Sequence, residues 1–205
     1  MADVKRIGVL LAAGRSTRMG RPKQLLPWPP NSPDAKPLVA AAFDAIACVC
    51  DEMVVVVGHE ADVVIAALGE REFGVVAVDS GAEMIVSVKA GLAVARGIDP
   101  TADVLLHPAD HPEVRRETLD LLIQIASAHA RRAVMPTFSG TGGHPVLIAA
   151  RLAVDIVSYE GPGGLRQLWI DHADQCVRQE IDDSGVVFDL DTPNDYQGRT
   201  IEYGH

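Results

Sequence analysis

The sequence predicts an α/β fold: three layers, with a mostly parallel sheet, helices on both faces and a smaller C-terminal lobe. Three observations predict it. Short, unbroken apolar runs recur along the chain, stretches with helical spacing separate them, and glycine or proline closes most of the runs. Unbroken apolar strands belong to sheets covered on both faces, and strand–helix alternation is how a parallel sheet is wound.

The elements follow in order. Residues 7–11 form the first strand and run straight into Ala12-Ala13-Gly14. The β-branched run 53–57 is the second strand, closed by Gly58, with 74–78 and 104–106 as the third and fourth. A weaker run, 133–135, ends at Pro136. Helices are predicted over 38–49, where Pro37 suits a helix start, over 61–68 before Gly69, and over 85–95 before Gly97. The longest is predicted over 112–130, with Leu119, Leu122, Ile123 and Ala126 at helical spacing. After the turn-rich stretch 140–143 come a short run at 146–148, helices near 151–158 and 164–172, and strands near 177–181 and 186–190, which make up the smaller lobe. Residues 27–37 read as a proline-rich surface loop too short to separate domains, so 1–205 is taken as one domain.

The formal net charge of −10 argues against a nucleic-acid polymer as partner, because such binding rests on Lys/Arg–phosphate contacts. A single nucleotide needs only a local cluster of donors. Three cysteines, Cys48, Cys50 and Cys176, are no disulfide framework, and Cys48 and Cys50 read as buried packing residues. The first residues resemble neither a signal peptide nor a membrane span, which makes the cytoplasm the expected compartment and a membrane an unexpected partner.

The most informative stretch is 11–26, LAAGRSTRMGRPKQLL. A strand enters a glycine-containing polar loop, which places backbone N–H groups, Arg18 and Lys23 at the carboxyl edge of the sheet, where ligands of open parallel sheets bind. The plain alternative is a basic surface turn. Neither the Walker A pattern nor the dinucleotide G-x-G-x-x-G is present. His107 and His111 stand four apart, but Pro108 and Pro112 oppose a helix there, and no Cys or Glu cluster completes a zinc site.

The same stretch resembles the signature of the MobA-like nucleotidyltransferases, L-A-A-G-x-S-x-R-M-G-x-x-K-x-L-L. Three further blocks in the same order extend the resemblance over almost the whole chain: His107-Pro108-Ala109-Asp110-His111-Pro112, Gly143-His144-Pro145, and Asp189-Leu190-Asp191-Thr192-Pro193-Asn194-Asp195-Tyr196. The resemblance implies the Rossmann-like nucleotidyltransferase fold and, within the family, those members that use CTP and molybdopterin with Mg²⁺. It implies that Leu11, Ala12, Ala13, Gly14, Arg18 and Lys23 bind the nucleotide, with Arg18, Lys23 and Asp110 as the catalytic set. Asp110 is implied as the leading Mg²⁺ ligand and Asp191 as the second, with Asp189 its competitor. If the metal is shared, the Asp110 and Asp191 carboxylates lie within about 7 Å of each other. His144 is implied as an acceptor contact facing the cleft opposite Gly14, and a client molybdoenzyme or its chaperone as a partner.

Some positions depart from the family pattern. Pro162 stands in the 161–164 turn where an acidic residue is expected, 81–87 is less polar than expected although Ser87 and Gly91-Leu92 fit, and His111 replaces Gln or Met. These positions bear on the acceptor. A sugar phosphate or another small phosphate is the alternative acceptor. A non-catalytic module that carries a nucleotide or pterin is the alternative class, disfavoured by Arg18, Lys23 and Asp110 occurring together.

Overall fold

The computed structural model describes residues 4–16, 19, 22–79, 81, 83–129 and 132–196. Its centre is β1 (Arg6–Ala12), which pairs in parallel with β4 (Glu52–Val57) on one side and β6 (Asp103–Pro108) on the other. β5 (Gly74–Ala77) extends the sheet in parallel beyond β4. Beyond β6 lies β9 (Val146–Ile148), antiparallel to both β6 and β7 (Ala133–Phe138), and β10 (Cys176–Glu180) closes that edge in parallel with β7. β8 (Thr141–Gly142) hangs on β7, and β2 (Pro27–Trp28) and β3 (Lys36–Pro37) form a separate antiparallel pair.

Each unbroken apolar run divides its side chains between two faces, as a strand period of two requires. Leu10, Val55, Val57 and Leu105 pack against α1 (Leu38–Ala47), α2 (Ala61–Leu68) and α4 (Arg116–Ala128) through Val39, Phe43, Ile46, Val64, Leu68, Leu119 and Leu122. Val9, Val54, Val56, Val104 and Leu106 pack on the other face against α3 (Met84–Ile98), α5 (Ala150–Ser158) and α6 (Gly164–Asp171). The mostly parallel, three-layer α/β arrangement is therefore as the sequence predicts. Gly91 lets α3 sit close to the sheet: a Cβ there would come within 2.4 Å of Val9 Cγ1 and 2.9 Å of Val56 Cγ2.

Four local expectations change. The helix expected over 112–130 begins at Arg116, because Asp183 reaches its start from far along the chain. The Asp183 carboxylate accepts from Arg115 N at 3.0 Å and Thr118 Oγ1 at 2.6 Å. At 13 residues α4 is shorter than α3, which has 15. The stretch 186–190 is not a strand. A 3₁₀ turn (Ser184–Val186) takes in its first residue, and its backbone groups bond to loops: His144 N donates to Val186 O at 2.7 Å and Leu190 N to Asp110 O at 3.2 Å. The 27–37 loop carries a buried residue, Trp28, which packs with Leu38, Ala41 and Leu190 as a satellite core flanked by Phe188 and Tyr196. Finally, Cys48 is exposed just past α1. Only Cys50 of that pair is largely enclosed, and burial pushes its thiol up to about 12.

Asp183 is 3% exposed. Burial alone raises its pKa, but hydrogen bonds from Thr118, Arg115 N, Gly185 N and the Arg115 guanidinium outweigh burial and hold it below the ordinary carboxylate value. A carboxyl with a depressed folded-state pKa stabilises above its unfolded pKa and loses that stabilisation as pH falls through the folded value. Asp183→Asn is expected to cost about 1.5–3 kcal/mol near neutral pH, the range for charge-assisted hydrogen bonds. In urea unfolding measured across pH, the difference from the parent protein is expected to shrink below about pH 4.

Candidate active site

Parallel pairing brings the carboxyl ends of β1, β4, β5 and β6 to one edge, and a cavity of about 380 Å³ opens there. Its lining includes Leu11, Ala13, Gly14 and Ser16 after β1, Lys23 and Gln24, Asp79 after β5, Met84 and Ser87 on α3, Asp110 after β6, and Asp191. Ala12, expected among the nucleotide-binding residues, turns its side chain into the core on the α1 face and does not line the cavity. Arg18 lies outside the described residues. Among the described residues, a Cβ on Gly14 would meet no atom within 4 Å.

The loop after β1 is fixed by its own side chains. Ser16 takes a left-handed φ of 52°, and its hydroxyl accepts from Lys23 N at 3.1 Å and donates to Gln24 Oε1 at 3.0 Å. Gln24, 4% exposed, donates from Nε2 to Gly14 O at 2.9 Å. Gln24 was not singled out from the sequence, and neither was Asp79. The rule that ligands gather at the carboxyl ends of parallel strands could have found Asp79. Nothing in the sequence marks Gln24 as buried.

Lys23 opens a short 3₁₀ turn (Lys23–Leu25), and its ammonium joins two distant carboxylates, donating to Asp110 Oδ2 at 2.6 Å and to Asp191 Oδ1 at 2.9 Å. The Lys23 side chain is 12% exposed. Burial alone would lower its pKa, but the Asp110 charge and the hydrogen bonds to Asp110 and Asp191 outweigh burial and raise it. Sharing one ammonium, the two carboxylates are closer together than the sum of these two distances.

Three bonds hold the Asp110 loop. Ala109 N donates to Leu11 O at 3.0 Å, Leu190 N to Asp110 O at 3.2 Å, and the buried His107 Nε2 meets His111 O at 2.7 Å. That last contact makes Nε2 the protonated nitrogen of a neutral His107. Asp191 precedes a reciprocal cap in which Asp195 Oδ2 accepts from Thr192 N at 2.6 Å while Asp195 N donates to Thr192 Oγ1 at 3.4 Å. The cap is thus made by Thr192 and Asp195, and the Asp191 carboxylate goes to Lys23. Asp189 is not on Lys23. Burial, then the Asp191 charge, push its carboxyl above the ordinary range.

His144 is not among the residues lining the cavity, contrary to the expected placement opposite Gly14. Its ring packs edge-on against His111 at 5.2 Å between centroids, and His111 packs in the same manner against His107 at 6.0 Å. The Nδ1 atoms of all three are buried without a hydrogen bond, as is Asp110 Oδ1. Burial drives all three pKa values down, His107 well below the ordinary value and His144 to about 4.

Asp110 and Asp191 are a pair. Among the described residues no group of three or more His, Cys, Asp or Glu side chains could hold a metal ion. A pair suits Mg²⁺, which is commonly bound through one or two carboxylates with water and substrate phosphates. No helix of the described residues is long and apolar enough to cross a membrane.

A glycine loop and a lysine at the carboxyl edge thus face two carboxylates across one cavity. The chain belongs to the family described as MobA-like NTP transferase domain, which it matches over residues 8–176. It is 24% identical over 196 residues to the molybdenum cofactor cytidylyltransferase of Escherichia coli K12, covering 92% of each chain. It is similar to the crystal structure of Rv0371c from Mycobacterium tuberculosis H37Rv, with a TM-score of 0.78 and 28% identity over 96% of this chain and 98% of that one. It is also similar to a manganese complex of Rv0371c, with a TM-score of 0.74 and 28% identity over 97% and 99% of the two chains. The family and the enzyme class expected from the sequence are therefore borne out.

A buried imidazole whose pKa is depressed stays neutral well below the usual histidine range. The ¹⁵N and ¹³C resonances of His144 are expected to show no protonation between pH 7.5 and 5.5 in the folded protein, and to titrate only toward pH 4.

Proposed function

We propose that this enzyme transfers CMP from CTP to molybdopterin and releases pyrophosphate, with Mg²⁺ held by Asp110 and Asp191. The observation that carries the proposal is the Lys23 ammonium set between two carboxylates on the cavity that Gly14 also lines. The cytidylyltransferase named among the relatives supports the choice of CTP and molybdopterin, as does the Ala12-Ala13-Gly14 wording of the loop. The reading carries with it a cytoplasmic enzyme whose product passes to a client molybdoenzyme or its chaperone.

In the reaction an oxygen of the acceptor phosphate forms a bond to the α-phosphorus. The bond from that phosphorus to the oxygen leading to the β-phosphate breaks, and pyrophosphate leaves with the electron pair. Charge spreads over phosphoryl oxygens, so positioned cations and N–H groups provide most of the catalysis. The backbone at Gly14, with no described atom within 4 Å of a Cβ there, lets phosphate approach, and Lys23 supplies a positive charge on the same cavity wall. Ser16 and Gln24 hold the loop that carries both. Asp110 has one oxygen on Lys23 and a second, buried Oδ1 with no hydrogen bond, a donor set that fits a hard divalent cation. When bound, Mg²⁺ supplies neutralisation of phosphate charge and orientation of the leaving group. The neutral histidines behind Asp110 hold the loop without adding charge.

Pyrophosphate release with molybdopterin as acceptor is expected with CTP and Mg²⁺, at a rate well above that with GTP. Consumption of CTP only with a different phosphate acceptor would overturn the molybdopterin assignment while leaving the family intact. Lys23→Ala is expected to lower kcat/KM for the nucleotide by about one to two orders of magnitude, the equivalent of one charge-assisted contact. Asp110→Asn is expected to abolish turnover while nucleotide binding, followed by calorimetry, is largely retained.

A further inference from the structure

The lysine and the metal would claim the same oxygens. Lys23 Nζ sits 2.6 Å from Asp110 Oδ2 and 2.9 Å from Asp191 Oδ1, the two carboxylates assigned above to the divalent ion. A divalent ion at its own bonding distance of about 2.1 Å from those oxygens would lie against the ammonium, with little water between them. The pair carries two negative charges, and the lysine already neutralises one. A dication on those oxygens repels the ammonium at this short distance until a polyanion draws the ammonium off, although Asp79 and Asp189 stand nearby as further carboxylates. The Lys23 side chain is only 12% exposed, so solvent screens this repulsion poorly.

The chain provides somewhere for the ammonium to go. The Lys23 backbone is pinned by Ser16 Oγ, and Gln24 ties the same turn to Gly14 O, so the stem can swing while its root stays fixed. Gly14 lines the same cavity of about 380 Å³, and among the described residues no atom lies within 4 Å of where its Cβ would be. Asp110 Oδ1, buried and without a hydrogen bond, shows that the ammonium satisfies the Asp110 carboxylate only in part.

We propose that Lys23 is a resident cation that holds the Asp110–Asp191 pair in the nucleotide-free enzyme, and that the triphosphate draws the ammonium away and opens the pair to the divalent ion. Nucleotide and metal then bind with positive coupling carried by one side chain, and free metal alone binds weakly. This rests on the metal reading of the preceding subsection. The same lysine therefore acts twice, first as a stand-in for the metal and then as a phosphate contact. Replacing it has opposite effects on the two ligands: weaker nucleotide, tighter metal.

The test is Mn²⁺ binding measured by electron paramagnetic resonance without nucleotide, on the parent protein, Lys23→Gln, Lys23→Met and Lys23→Gln/Asp110→Asn, each checked for folding by circular dichroism. Lys23→Gln and Lys23→Met are expected to bind Mn²⁺ about tenfold or more tighter than the parent, within the usual range of coupling between two ligands. The double variant is expected to lose that gain. With α,β-methylene-CTP present, the parent is expected to bind Mn²⁺ as tightly as the single variants. Equal Mn²⁺ affinity of the parent and the single Lys23 variants, with loss of binding in Lys23→Gln/Asp110→Asn, would overturn the resident-cation role and leave the metal site standing. Retention of the gain in the double variant would overturn both. A second readout uses the parent protein alone. The ¹⁵N signal of the Lys23 ammonium is expected to hold its position on adding Mg²⁺ and to move on adding α,β-methylene-CTP. Movement with Mg²⁺ alone would also overturn the proposal.

Discussion

The candidate site depends on the parallel pairing of β1 with β6. Their register sets Leu11 opposite Pro108, so the two strands end together, and the bond from Ala109 N to Leu11 O carries the ladder one step past the strand ends. Gly14 and Asp110 therefore leave adjacent strands at one edge. The third contributor arrives without a strand: the segment before Asp191 is held by Leu190 N on Asp110 O and by Val186 O under His144 N. Lys23 then closes across sequence separations of 87 and 168 residues. A slip of one residue in the β1–β6 register would turn every side chain of one strand to the opposite face and separate these groups.

Much of this was legible in the sequence, and for a physical reason. Strands buried on both faces must be apolar throughout, so 7–11, 53–57 and 104–106 stand out against the helices between them. Gly14, Lys23, Asp110 and Asp191 stand at the fixed spacings of the family motif, and the fold brings all four to one cavity. The stretch 186–190 misled because apolar residues report burial, and Val186 and Leu190 are indeed buried, while a strand also needs a neighbour for its backbone groups. Those groups bond to loops instead. His144 misled because its turn lies near the site while its ring packs on His111. Asp183 and Gln24 were illegible for another reason: each works through a partner whose position only the folded chain fixes.

The charge distribution around the site is consistent with this division of labour. The chain is acidic overall, yet the three histidines closest to Asp110 are held neutral by burial. Charged imidazoles there would compete with Lys23 for the same carboxylate. Neutral ones leave Asp110 to the lysine and contribute packing and, through His107, a bond that shapes the loop. Among the described residues, the ion pairs on the cavity wall are those of Lys23 with Asp110 and Asp191.

Asp183 ties the start of α4 to a part of the chain 65 residues away, and the segment that follows it delivers Asp191. That segment has no ladder of its own. Among the described contacts it is held by hydrogen bonds to loops, by Lys23 and by the satellite core around Trp28, and it can open without melting the sheet. Contacts this distant in sequence also close late, since loop entropy must be overcome before they contribute. Assembly of the sheet and completion of the site are therefore separable events. Local opening of that segment takes Asp191 off Lys23 without unpairing a strand of the sheet.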